Sequence, residues 1–190
     1  MNSKTKSFIF ALFILLAAGS FSYAQSSSKK TEELPNGYKE IRLGMSVDEV
    51  KNALKADPYF GYRGDRDVSF LPGREKILIE TNTYKTAPFS FYERCWFQFY
   101  NDKLYIITIN LKQAKIDHYS IYSTLTEKYG NPDSLNPEKS TWENDSVIMS
   151  LERPLTLKYT DKVTFEKLQN ESVVKKSAEE ISRQKFLDEL

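Results

Sequence analysis

The chain has 190 residues, a formal net charge of +1 and a single cysteine, Cys95. This balance lacks the basic excess expected of a protein that binds nucleic acid or anionic lipid. One cysteine excludes an internal disulfide, so we expect packing to stabilise the fold. The 12 tyrosines and 12 phenylalanines are typical of a β-rich core.

Residues 1–24 have the three parts of a secretory signal peptide: two lysines, an apolar run over 8–18 and a small, polar end. We expect cleavage between Ala24 and Gln25. The apolar run is short for a membrane span, which takes about 20 residues, although an uncleaved anchor is the alternative. Without a cysteine at the cleavage site, bacterial lipidation is excluded. We therefore expect a periplasmic or secreted bacterial protein with no stable membrane anchor after cleavage.

The rest of the chain predicts one domain with flanking segments. Residues 25–35 are polar and indicate a flexible leader. Residues 36–169 predict a single α+β domain, with two helix-plus-hairpin repeats as an open alternative. Residues 170–190 predict a charged C-terminal helix with a thin apolar stripe. This helix either packs on the domain or projects from it, and a structural role through it is one alternative function.

The first helix has clear start and stop signals. Ser46 and Glu49 form a capping box, in which each side chain bonds the other's backbone N–H. Asp57-Pro58 ends the helix, because the residue before proline avoids the α region. Three apolar residues share one face of it: Val47, Val50 and Leu54.

Strands are predicted next, over residues 76–83, 89–100 and 104–111, with a short turn at 101–103. In the long strand 89–100, one face carries Phe91, Cys95, Phe97 and Phe99. The other face carries Tyr92, Arg94, Trp96, Gln98 and Tyr100. Tyrosine, tryptophan and arginine are enriched in binding hot spots. Either a helix covers this second face, or it is exposed and binds a protein or peptide partner through Tyr92, Arg94, Trp96 and Tyr100.

A second helix is predicted over 117–129, with Gly130 as its C-cap, and short strands follow at 141–143, 147–152 and 155–160. The order is helix, strands, helix, strands, helix. This order predicts an α+β fold in which an antiparallel sheet carries helices in a repeated helix-strands order, plus the C-terminal helix.

The segment 41–46 (Ile-Arg-Leu-Gly-Met-Ser), followed by Val50 and Leu54, resembles a signature of the SmpA/OmlA (BamE-like) envelope lipoproteins. It also resembles the wider class with the fold of β-lactamase inhibitor proteins (BLIP-like). Residues 121–159, with a Lys-Tyr-Gly-Asn-Pro run and then Trp142, look like a second copy of that layout. The resemblance implies short helices on an antiparallel sheet, sometimes in tandem, and the analogy of fold carries no function with it. The lipidation cysteine of the assembly lipoproteins is absent.

No catalytic set is recognisable, and we expect no enzyme activity, no cofactor and no metal. His118 is the single histidine, so a metal cluster with ligand spacing is not indicated. Two alternatives stay open: an unrecognised hydrolase-like enzyme with a site around His118, with or without Cys95, and adhesion through Arg63-Gly64-Asp65. The favoured prediction is a non-enzymatic envelope protein that acts through protein–protein interaction.

Overall fold

The computed structural model describes residues 32–72 and 75–188. The predicted signal peptide, its cleavage site at Ala24 and Gln25, and residues 25–31 of the leader lie outside the described residues. Within the described ranges, we find no helix that combines the length and the apolar character of a membrane span.

Ten strands and four helices make up the described fold. The strands are β1 (Gly37–Tyr38), β2 (Ile41–Arg42), β3 (Val68–Phe70), β4 (Lys76–Asn82), β5 (Tyr92–Tyr100), β6 (Lys103–Leu111), β7 (Ser134–Leu135), β8 (Lys139–Glu143), β9 (Val147–Glu152) and β10 (Thr156–Asp161). The helices are α1 (Val47–Ala56), α2 (Thr83–Thr86), α3 (His118–Tyr129) and α4 (Lys162–Asp188). This composition confirms the predicted α+β class.

The main sheet is antiparallel throughout, with its eight strands in the order β3-β4-β5-β6-β10-β9-β8-β7. Each half of the chain supplies one main helix and then four strands: α1 with β3 to β6, and α3 with β7 to β10. The last strands of the two halves, β6 and β10, pair with each other at the centre of the sheet. The repeated helix-strands order is therefore confirmed.

α1 begins and ends as its sequence predicts. The Ser46 side chain accepts a hydrogen bond from the Glu49 backbone N–H, and the Glu49 carboxylate accepts one from that of Ser46. The preceding Gly44, at φ +87°, donates its N–H to the carbonyl oxygen of Leu104 at 2.7 Å. The Gly-Met-Ser segment thus ties the start of α1 to the first residues of β6.

The core lies on one face of the sheet, under α1 and α3. Its largest fully buried side chains include Ile41, Leu54, Phe60, Ile79, Phe97, Phe99, Leu104, Ile107, Ile109, Trp142, Met149 and Leu151. They come from both halves of the sheet and from the segments packed on it, and they form a single cluster. The two halves therefore share one hydrophobic core.

α3 is fastened to the second half by Trp142 of β8. The indole Nε1–H donates to the carbonyl oxygen of Gly130 at 2.9 Å, just past the end of the helix. The indole also lies 6.2 Å from the ring of Tyr122 in α3. Trp142 is 1% exposed, so this one side chain joins strand, helix and helix terminus.

α4 starts directly after β10, earlier than the predicted boundary at residue 170. Its first turns are partly buried, whereas residues 169–188 are exposed along their length. The apolar residues of the predicted stripe, such as Val174, Ile181 and Phe186, are each more than half exposed. The C-terminal helix therefore projects from the domain beyond its first turns.

The two tryptophans differ in burial, which gives a test of the fold. Trp142→Ala removes a large core side chain and its hydrogen bond, at an expected cost of about 3–5 kcal/mol. Trp96→Ala, on the opposite, partly exposed face, is expected to cost about 1 kcal/mol. Thermal unfolding of both variants checks this, with a drop of about 10 °C or more for Trp142→Ala. Equal losses would contradict the placement.

Candidate binding face

The face of the sheet turned away from α1 and α3 carries the alternate residues of β5. Trp96, Gln98 and Tyr100 are partly exposed, and Arg94 is exposed. Directly paired residues of antiparallel strands lie on the same side of a sheet, so the β4 partners Leu78 and Glu80 extend this surface. We call the outer face the surface formed by Leu78, Glu80, Arg94, Trp96, Gln98, Tyr100 and Tyr105.

Tyr92 does not belong to the outer face, so its predicted place beside Arg94 is wrong. Between these two residues the pairing with β6 shifts by one, and Glu93 is left as the extra residue of a β-bulge. The bulge reverses the alternation and turns Tyr92 into the core, where it is 5% exposed. For the same reason Phe91, predicted to share the buried face of Cys95, is 48% exposed.

Two contacts of the outer face depend on tertiary structure and were missed from the sequence. A second shift of register leaves Tyr105 of β6 as an extra residue, between the partners of Gln98 and Phe99. The hydroxyl of Tyr105 donates a hydrogen bond to Oε1 of Gln98 at 3.5 Å. The first turns of α4 also reach this face, since Lys167 Nζ lies 5.8 Å from the ring centre of Tyr100. The nearest sequence signal was Tyr105 itself, the single aromatic residue in the predicted strand 104–111. The helix touches the outer face at one end, and Arg94 stays exposed at the other.

The exposed end of the outer face is positively charged. The Arg94 guanidinium lies 3.4 Å from Glu80 and lines a polar cleft of about 460 Å³. Among the described residues that line this cleft, the cationic ones are Arg63, Arg66, Lys85 and Arg94, and the acidic ones are Asp67 and Glu80. The cleft therefore favours a negatively charged group.

The Arg63-Gly64-Asp65 tripeptide lies in a turn of 3-10 helix over Gly64–Asp67. Arg63 donates from its guanidinium and its backbone N–H to the buried carboxylate of Asp67, and this hydrogen bonding raises the pKa of Arg63. Asp65 pairs with Lys51 at 3.1 Å. Both charged side chains of the tripeptide thus have partners within the domain, which does not favour adhesion through this segment.

His118 is the first residue of α3 and lines a surface cleft of about 700 Å³ with Tyr122, Lys139 and Arg153. Burial, and then the charge of Arg153, lower the pKa of His118. The neighbouring Asp117 caps the helix, because it accepts from the backbone N–H and the hydroxyl of Ser120 at 2.9 and 2.6 Å. Its carboxylate is thereby occupied in capping. Glu138 also lines the cleft, but no hydrogen bond joins either carboxylate to the imidazole among the described residues.

Cys95 lies at the centre of β5 and is fully buried. Burial raises the pKa of its thiol to about 12. A thiol needs its thiolate form and an open approach to act as a nucleophile, and Cys95 has neither. It acts as a small core residue, paired across the sheet with Thr81.

Residues 32–72 and 75–188 contain no group of three or more histidine, cysteine, aspartate or glutamate side chains placed to hold a metal ion. The absence of a cofactor stays a prediction.

The state of Cys95 makes a direct prediction. In the folded protein at pH 8, a thiol with a pKa near 12 is almost wholly protonated. Incubation with a disulfide reagent is expected to leave Cys95 unmodified until denaturant is added, when the full equivalent of thiol reacts. Rapid modification of the folded protein would show that Cys95 is accessible and would restore it as a candidate nucleophile.

Comparison with known proteins identifies one family. The TP0088 domain family matches residues 36–171, which include both halves of the sheet and the first turns of α4. No curated protein and no solved structure gives a significant match. Because the match covers well over half of the sequence, the chain belongs to the TP0088 domain family.

Proposed function

We propose that this protein is a non-enzymatic binding protein of the bacterial envelope, periplasmic or secreted, and that it binds a protein partner through the outer face. The observation that supports this most is the exposure of Arg94 beside the partly exposed Trp96, on a half-sheet that α1 and α3 leave uncovered. A partly exposed tryptophan on a rigid strand presents a large contact area at little conformational cost.

The charge of this region suggests the chemistry of the partner. Leu78 and Trp96 form an apolar centre. Arg94, beside Trp96 on β5, also lines the cationic cleft. A partner surface with an apolar side chain flanked by acidic residues would match both parts. Arginine at such a site binds a carboxylate through two parallel hydrogen bonds, which adds geometric specificity.

The location follows from the signal-peptide pattern of residues 1–24 and from the single cysteine. A cleaved signal would release the domain into the periplasm or the medium, where it would meet envelope proteins. The resemblance of residues 41–54 to BamE-like proteins fits an envelope protein, but an analogy of fold carries no function with it.

A hydrolase with a site around His118 is the second candidate. It is favoured by the cleft in which His118 lies and by the lowered pKa of the imidazole, which keeps this base neutral at pH 7. The capping role of Asp117 counts against it, since no hydrogen bond joins the imidazole to a carboxylate within the described part of the chain.

A photo-crosslinking amino acid placed at Gln98 tests the binding face in living cells. We expect one discrete adduct, found in the periplasmic fraction or the medium. Trp96→Ala should weaken the binding that forms it by about 2 kcal/mol, or roughly 30-fold, with the fold intact. Arg94→Ala should weaken it less.

The same crosslinker at Asn52, on the exposed side of α1, is the matched control and should give no such adduct. An adduct that is equally strong from Asn52, or that survives Trp96→Ala together with Arg94→Ala, would refute the proposed face. A cytoplasmic adduct would refute the proposed location.

A further inference from the structure

A second surface lies on the opposite side of the sheet, where the two halves meet. It is a groove of about 600 Å³ whose floor is formed by the paired strands β6 and β10, through Ile109, Leu111, Leu157 and Tyr159. The inner side of α3 forms one wall, with Ile121, Leu125 and Tyr129. The β1–β2 hairpin and Tyr59 form the other. We call this the seam groove.

The seam groove has an apolar interior with aromatic walls. Tyr38 and Tyr92 bond to each other through their hydroxyls at 2.9 Å, and the ring of Phe60 stacks on Tyr92 at 4.9 Å. Burial raises the pKa of Tyr38 and Tyr159 and takes that of Tyr92 to about 12. Its volume is that of small-molecule sites, which are mostly apolar with a few polar groups.

The charges at the groove are positive. Its charged lining residues are both lysines, Lys39 and Lys128, and no aspartate or glutamate is found among the described lining residues. Lys39 Nζ forms an ion pair with Asp57 Oδ2 at 2.8 Å, and Asp57 does not line the groove. The rim is thus suited to an anionic group, whereas the interior is not.

Lys115 adds a further positive charge at the entrance of the groove, which we call the lip and define by Tyr59, Phe89 and Phe91. Lys115 Nζ lies 5.7 Å from the ring centre of Phe91, and the backbone carbonyl oxygens of Pro88 and Phe89 accept its hydrogen bonds. Neither of these partners carries a charge. Burial lowers the pKa of the neighbouring Lys112, and the charge of Lys115 lowers it further.

The entrance of the groove also exposes aromatic rings that contact each other. Tyr59 and Phe89 are 46% and 54% exposed, and their ring centres are 5.2 Å apart. Together with Phe91 they form an apolar entrance beside the lysines. A contiguous exposed apolar patch is a feature of interaction sites and ligand-binding grooves.

We propose that the seam groove binds a free single-chain amphiphile with a carboxylate head, a long-chain fatty acid by chemical class. The chain lies over Ile109 and Leu157 between α3 and the β1–β2 hairpin. The carboxylate stays at the rim, near Lys39, Lys115 and Lys128. This site faces away from the outer face, so the inference is independent of the proposed protein partner.

Titration with cis-parinaric acid, a fluorescent long-chain carboxylate, measures the binding. We expect one saturable site per chain, from which palmitate displaces the probe. Hexadecanol, which has the same chain and no charge, should compete about tenfold more weakly, because the rim lysines no longer contribute. Trp96→Ala should leave this binding unchanged, which separates it from the outer face.

Two variants test the placement, each with a matched control. Thr124→Trp adds bulk to the α3 wall and should abolish binding, whereas Asn52→Trp on the exposed side of α1 should not. The triple variant Lys39→Gln, Lys115→Gln, Lys128→Gln should weaken parinarate about tenfold and leave hexadecanol unchanged. The equally charged control Lys55→Gln, Lys76→Gln, Lys103→Gln changes exposed lysines elsewhere. Thermal unfolding confirms that each variant folds.

Three outcomes would overturn the proposal. The first is the absence of saturable parinarate binding to the native protein. The second is binding that survives Thr124→Trp, or that the two triple variants weaken alike. The third is flotation with phosphatidylglycerol vesicles without binding of parinarate, which would make the lip a membrane-contacting surface instead.

Discussion

The pairing of β6 with β10 is the contact on which the rest of the structure depends. Each half of the chain has one main helix and four strands, and this pairing joins them into a single eight-stranded sheet. The two central strands, β6 and β10, are antiparallel. α1 and α3 pack on the same face of the sheet, since their buried residues belong to one cluster. Both halves thereby contribute to one core.

This arrangement gives the sheet two different surfaces. The face under the helices holds the core, and along the seam α3 and the β1–β2 hairpin stand apart and leave the groove. The other face has α4 at one end and is open around Arg94. The proposed interaction surface lies mainly on β4 and β5, whereas the groove lies on the opposite face over β6 and β10.

Much of the fold could be predicted from the sequence, because its local signals agree with the tertiary structure. The capping box at Ser46, the Asp57-Pro58 stop and the spacing in α3 each specify a helix terminus or face on their own. The candidate face was predicted less well. The bulge at Glu93 depends on the register with β6 across the hairpin, which the alternation of residues within β5 does not specify, and it moved Tyr92 into the core. The groove was not foreseeable, since its walls come from segments about 80 residues apart, around Tyr38 and Ile121.

Hydrogen exchange of the backbone amides tests the central claim, that β6 and β10 make one cooperative unit of the two halves. We expect the amides of these two strands to be the slowest to exchange, and the protected amides of β4–β5 and β8–β9 to open together with them under mild denaturant. Loss of protection in one half while the other half stays protected would contradict the claim, because it would show that each half is stable without the central pairing.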